Sequence, residues 1–289
     1  MIHYLYLGRM GYGEALRLQD ELVELRQRNR IGNVLLLLEH PPVLTLGRNA
    51  QRANVLASAE LLARRGVTVH EINRGGDVTY HGPGQLVGYP IFDLRSLRNA
   101  KGGRLGPVDF VRQMEEALMR LCGVYGVRAG RICGLTGVWC GAAAEDACSP
   151  SAAREQLSAA SRKIASIGIH VARGVTSHGF ALNVTTDLRD FELITPCGIA
   201  GCRMTSLERE VDEQAKPLPA LEAVANEAAR QFGFVFGAQV LAVESLAALR
   251  ARAQEAPAGE PVFPAEDTPL QFPPELERLL KKKERPVRA

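Results

Sequence analysis

The chain of 289 residues carries 35 Lys and Arg against 32 Asp and Glu, a formal charge of +3, with 46% hydrophobic and 23% charged residues. That is the profile of a globular protein of one large or two small domains. The excess charge sits in segment 275–289, where Arg278, Lys281, Lys282, Lys283, Arg285 and Arg288 face Glu275, Glu277 and Glu284; the rest is balanced, which argues against a nucleic-acid or anionic-membrane face. No window nears the roughly 18 consecutive apolar residues of a membrane span. The N-terminus, Met1-Ile-His-Tyr-Leu-Tyr-Leu, has the make-up of neither a signal nor a transit peptide, so a cytoplasmic address is expected. In that setting the cysteines at 122, 133, 140, 148, 197 and 202 are expected as thiols rather than a disulfide framework.

In chain order, Tyr4 to Leu7 predicts a strand, and Ala15, Leu18, Leu22 and Leu25 recur at helical spacing until Gly32-Asn33 stops them. Val34 to Glu39 and Val43 to Leu46 are strand-like runs split by Pro41-Pro42, which cannot continue a ladder. A short helix over Ala59 to Arg65, a strand over Val67 to Ile72 and an extended run from Gln85 to Leu94 follow. Pro107 and Asp109 open a helix whose apolar face holds Phe110, Val111, Met114, Leu118 and Leu121. Strands return at Gly137 to Cys140, Arg162 to His170 and Phe180 to Val184, then a helix through Leu221, Val224, Ala225, Ala228 and Phe232. The order predicts one mixed α/β domain over 1–240. Segment 142–161, rich in Ala and Ser, cannot bury enough apolar surface to offset ordering and is expected as a mobile insertion. Beyond 240, a short helix near Glu244 to Ala253 and a Pro-rich, Lys-rich flexible tail are expected.

The densest chemical signal is Arg74-Gly75-Gly76-Asp77-Val78-Thr79-Tyr80-His81-Gly82-Pro83-Gly84-Gln85. Its glycines let backbone approach a ligand, while Arg74 and His81 bring donors to the same place. It lacks the Gly-Lys-Ser/Thr of a P-loop and the GxGxxG spacing of a dinucleotide fold, so nucleotide binding is not supported. The second signal is Cys197 between Pro196 and Gly198, a setting suited to a nucleophile with backbone N–H groups beside it. A thiol of ordinary pKa, about 8.5, needs a cationic neighbour to act at neutral pH; Lys163, Arg173, His170 and His178 are candidates. Against this stands a buried cysteine that only fills space. Strand alternation puts Lys163, Ala165, Ile167 and Ile169 on one face, where a lysine is ordinarily a snorkelling edge charge unless it points into a cleft. The cysteine spacings fit no structural zinc site, and no metal is expected.

Together these segments resemble the lipoyl(octanoyl) transferase family. Glu39-His40-Pro41-Pro42-Val43-Leu44-Thr45-Leu46-Gly47 resembles its early motif, and Arg74 to Tyr89 matches its Arg-Gly-Gly-x-x-Thr-aromatic-His-x-x-Gly-Gln-x-x-x-Tyr signature. Gly134 to Trp139, Arg162 to Ala165, His178 to Asn183 and Pro196 to Gly198 follow in family order. The resemblance implies a mixed sheet flanked by helices, similar to the catalytic domains of biotin and lipoate ligases. It also implies octanoyl transfer from acyl carrier protein to a lysine of lipoyl domains, those of 2-oxoacid dehydrogenase complexes and the glycine cleavage H protein, with neither ATP nor a metal. The family's nucleophile falls on Cys197 and its lysine partner on Lys163. Its substrate-binding segments fall on Arg74, Gly75, Gly76, Asp77, Val78, Thr79, Tyr80 and His81, on Ser166, Ile167 and Gly168, and on Gly179, Phe180 and Ala181. An ATP-dependent ligase of the same fold, a carrier-binding module without turnover and a thiol hydrolase are the competing readings.

Overall fold

The computed structural model describes residues 1–98, 102–141, 160–212 and 217–255. The insertion expected at 142–161, apart from Ala160 and Ser161, and the tail after residue 255 lie outside them.

The chain runs β1 (Ile2–Arg9), α1 (Tyr12–Gln27), β2 (Asn33–Glu39), β3 (Val43–Leu46), α2 (Ala59–Arg64), β4 (Thr68–Glu71), β5 (Val78–His81), β6 (Gln85–Ile91), α3 (Pro107–Val124), β7 (Ala129–Ile132), β8 (Leu135–Cys140), β9 (Arg162–Ala172), β10 (Val175–Asn183), β11 (Arg203–Met204), α4 (Leu207–Glu210), α5 (Leu221–Val235), β12 (Val240–Ala242) and α6 (Leu246–Glu255). The large sheet has the order β12-β1-β2-β6-β10-β9-β8-β7, with β11 on β9, and a second sheet has the order β4-β3-β5. The mixed sheet flanked by helices is the expected fold class. It continues past residue 240, since β12 pairs with β1 and Leu249 and Ala253 of α6 are buried.

The apolar run of β2 is buried on both faces. Leu35 and Leu37 enter a core with Phe110, Met114, Leu118 and Leu121 of α3 and Val224, Ala228 and Phe232 of α5. Val34, Leu36 and Leu38 enter the opposite core with Ala15, Leu18 and Leu22 of α1. The small sheet has its own core, in which Leu44, Val78 and Tyr80 pack with Phe191 and Ile194. It meets the large sheet where Gly75 N–H donates to Ile169 O at 2.9 Å.

Two local features depart from strict alternation. Strand β10 begins at Val175, ahead of the expected Phe180, because Arg173 and Gly174 both take positive φ, 49° and 80°. They make a two-residue hairpin turn that pairs Val175 with Ala172. In β9 the register slips: Val138 faces Ala165, but the next residue, Trp139, faces Lys163. Ile164 is the extra residue of a bulge, and both Ile164 and Ala165 join the helix-packed core. The expected shared face of Lys163, Ala165, Ile167 and Ile169 is therefore corrected: the bulge turns Lys163 to the opposite side from Ala165, with Ser166. The expectation of reduced cysteines also changes, because Cys133 is disulfide-bonded whereas Cys122, Cys140, Cys197 and Cys202 are free.

Candidate active site

Cys197 sits in a single 3₁₀ turn, Pro196–Gly198, with φ 57° and ψ 18°. Left-handed backbone at a non-glycine residue is costly and is held here by its surroundings. Thr195 N–H donates to Asn54 O at 2.7 Å, and Asn54 Nδ2 donates to Asp77 Oδ2 at 2.6 Å. That carboxylate lies against Gly198, where a Cβ would stand 2.5 Å from Asp77 Oδ2. Glycine at 198 thus provides both the positive φ of 67° and the clearance.

Lys163 reaches this turn from β9. It is 2% exposed, its Nζ donates to Cys197 Sγ at 3.3 Å, and the Trp139 ring lies under Nζ at 5.1 Å. Ser166 Oγ is 3.9 Å from the same sulfur. Burial by itself raises the pKa of Cys197, but the Lys163 charge, the hydrogen bonds of Lys163 and Ser166, and the Arg74 guanidinium outweigh it and hold the thiol below its ordinary value. Burial pushes the other free thiols the other way, Cys122 up, Cys140 to about 12 and Cys202 to about 11. Cys197 alone among the described free cysteines has its thiol held below the ordinary value.

The pair opens into a cavity of about 240 Å³. Of the expected site residues, Arg74, Gly76, Asp77, Thr79, His81, Lys163, Ser166, Ile167, Gly168, Gly179, Phe180, Ala181 and Cys197 line it. Gly75, Val78 and Tyr80 do not: Val78 and Tyr80 belong to the small-sheet core, and the Tyr80 hydroxyl donates to Asp190 Oδ2 at 2.6 Å. Arg74 is buried, with Nη2 donating to Thr45 O at 2.6 Å and Nη1 to Gly75 O at 3.0 Å. Glycine at 168 lets the Arg74 loop lie on β9, since a Cβ there would stand 2.7 Å from Gly75 O.

Among the cations weighed as partners for Cys197, only Lys163 meets it. Arg173 and His170 do not line the cavity. His178 does, but burial, with Arg74 nearby, pushes its pKa down to about 4, and its Nε2 faces Asn73 Oδ1 at 2.7 Å. His81 is pushed down to about 3 by burial, with His40 adding to the effect. Both imidazoles are neutral at pH 7. Sequence reasoning passed over Tyr12 on the cavity wall and gave no site role to Leu135, Thr136 and Ile199, which lie in or beside the segments it marked. It also passed over Asn54 behind the Cys197 turn, which no local pattern marks. Among the described residues no group of three or more His, Cys, Asp or Glu is placed to hold a metal ion, and no helix is long and apolar enough to cross a membrane.

Residues 11–232 match the family described as the lipoyl protein ligase A/B catalytic domain. The chain belongs to that family. It is 59% identical over 246 residues to an octanoyltransferase of Acidobacterium capsulatum, covering 85% of this chain and 94% of the relative. An octanoyltransferase of Koribacter versatilis is 49% identical over 261 residues, 90% and 94% of the two chains. This family member is an acyltransferase. Its fold is that of a bipartite lipoate protein ligase from Thermoplasma acidophilum, with a TM-score of 0.60 at 16% identity over 88% of this chain and 91% of that one. It is likewise that of a lipoate-protein ligase A solved with ATP, TM-score 0.59 at 17% identity over 88% and 94%.

Proposed function

We propose that this family member moves an octanoyl group from acyl carrier protein to the ε-amine of a lysine on a lipoyl domain, through a thioester on Cys197, as the first step of protein lipoylation. The observation that carries the reading is the buried Lys163 Nζ donating to Cys197 Sγ at 3.3 Å. The names of the relatives supply the octanoyl group.

The Cys197 thiolate attacks the carbonyl carbon of the carrier thioester, and the tetrahedral intermediate expels the carrier thiolate, which takes a proton from the Lys163 ammonium. The products are the acyl-enzyme, the carrier thiol and a neutral Lys163. The neutral acceptor lysine then attacks the acyl-enzyme, and Lys163 takes the proton that the nitrogen sheds. Collapse gives the octanoyl amide and restores the thiolate–ammonium pair, so protons balance over the cycle. The donor thioester carries the activation, so the cycle calls for no ATP.

Backbone N–H groups of the 76–77 turn are suited to the tetrahedral oxyanion: Gly76 and Asp77 line the cavity, whereas Gly75 N–H is engaged by Ile169 O and Gly198 N–H by Thr195 O. Such a donor contributes on the order of 3 kcal/mol. Ile167, Phe180 and Ala181 supply apolar wall for the acyl chain.

The test is intact mass after incubation with octanoyl-acyl carrier protein without ATP or acceptor. A hydroxylamine-sensitive octanoyl adduct is expected on the native protein and not on Cys197→Ser. No adduct from an active donor would overturn the thioester route.

A further inference from the structure

One side chain breaks the apolar pattern of its helix. Glu115 falls between Val111 and Leu118 on the inward face of α3 and is fully buried. A buried carboxylate is costly unless its oxygens are satisfied, and such a violation of local pattern points to a use elsewhere. Oε2 takes Arg112 Nη1 at 2.8 Å and Arg131 Nε at 3.1 Å. Oε1 instead accepts the backbone N–H of Gly137 on β8 at 3.0 Å.

Gly137 stands beside the register slip that turns Lys163 toward the thiol. Its φ is 125°, and a Cβ there would stand 2.6 Å from Lys163 Cε, 3.2 Å from Lys163 Nζ and 2.6 Å from Ala165 O. The lysine side chain therefore occupies the space a side chain at 137 would need. Two positions on, Trp139 places its ring under Nζ.

We infer that Glu115 is a positioning residue: clamped by Arg112 and Arg131, it anchors the Gly137 backbone and so sets the Lys163 amine at the Cys197 thiol. The inference rests on the Lys163–Cys197 pairing proposed above. Glu115 touches no substrate, and its effect passes through Gly137 to the lysine.

The experiment measures the pH dependence of Cys197 alkylation by iodoacetamide, localised by peptide mass, with steady-state kinetics on octanoyl-acyl carrier protein and a lipoyl domain. In Glu115→Gln the amide turns its oxygen to the two guanidinium groups and its NH2 to Gly137 N–H, which breaks the anchoring bond. Gly137→Ala meets the lysine directly and leaves the buried carboxylate intact. Both are expected to raise the alkylation midpoint by about one pH unit, a tenfold change in the thiol's ionisation constant. kcat should fall about tenfold, with the KM for the donor within twofold. A purely structural Glu115 would lower the melting temperature without moving the midpoint, and that result overturns the inference; if Glu115→Gln does not fold, Glu115→Asp, which keeps the charge but draws the carboxylate back from Gly137 N–H, is read in its place. Lys163→Met separates the two levels. An unchanged midpoint there defeats the pairing itself, whereas a raised midpoint there with none in the folded Glu115 and Gly137 variants defeats only the positioning role.

Discussion

Lys163 and Ser166 stand three positions apart on β9, yet both face Cys197, Nζ at 3.3 Å and Oγ at 3.9 Å from the sulfur. Regular alternation would send them to opposite faces of the sheet. The extra residue at Ile164 restores them to one face, so a single bulge assembles the cationic and hydroxyl sides of the thiol site.

Lys163→Arg separates the two proposed roles of the lysine. Arginine keeps the charge that favours a thiolate but does not give up its proton. The octanoyl adduct is expected to form, while single-turnover transfer to the acceptor amine falls about 100-fold or more, the usual range for loss of a general base. Transfer at the native rate would remove the proton-acceptor role.

Gly198→Ala tests the clamp behind the nucleophile. The new methyl would stand 2.5 Å from Asp77 Oδ2 and 3.1 Å from Asn54 Nδ2 at a φ of 67°. A cost of about 1–3 kcal/mol in stability is expected from thermal melting, with at least a tenfold drop in acyl-enzyme formation as the turn shifts from Lys163. A native burst would show that the turn tolerates displacement.

Acid should destabilise the fold early. His40, His81 and His178 are buried, and burial first of all pushes their pKa values to about 4, about 3 and about 4. The unfolded chain binds protons near the ordinary value of about 6.5 and the folded chain does not, so stability is full above that pH and is lost as pH falls toward the folded values. Each histidine contributes about 1.4 kcal/mol per pH unit in that window. Melting temperature should fall steeply from pH 6.5 to 4.5; a flat profile there would refute the neutral, buried state of the cluster.

Tyr80→Phe distinguishes a substrate contact from a core contact. Its hydroxyl donates to Asp190 Oδ2 and its ring packs edge-on against Phe191 at 5.4 Å between centroids. The variant is expected to lose about 1 kcal/mol of stability and to keep kcat and KM within twofold. A large rise in the donor KM would return Tyr80 to the substrate wall.

The legible parts of the fold were those in which periodicity and burial agree. The run Val34 to Glu39 read as a strand because both of its faces are covered, and Phe110 to Leu121 read as a helix because its apolar stripe meets one sheet. Strands β7, β11 and β12 span four, two and three residues and have too few apolar positions to show a period; they exist because a longer neighbour offers an open edge. The Arg74 segment stood out through its glycines. Within it, alternation along β5 sends Thr79 and His81 to the cavity and Val78 and Tyr80 to the small-sheet core, but the short polar run 78–81 is not legible as a strand until its pairing with β3 is known.

By itself the sequence determined the chemical inventory: a cysteine between Pro and Gly, a lysine on an apolar strand, a glycine-rich segment with an arginine, and the residue patterns of the family. These are local properties, set by side-chain chemistry and backbone preference. The family resemblance already paired Lys163 with Cys197, where residue chemistry alone left His170, Arg173 and His178 open; only the tertiary structure decided how the pair meets, Nζ to Sγ at 3.3 Å, and that Glu115 reaches Gly137. Those relationships depend on a one-residue register slip and on which helix covers which strand. Such a slip is settled by the packing of β8, β9 and α3 together, and no alternation within one segment encodes it.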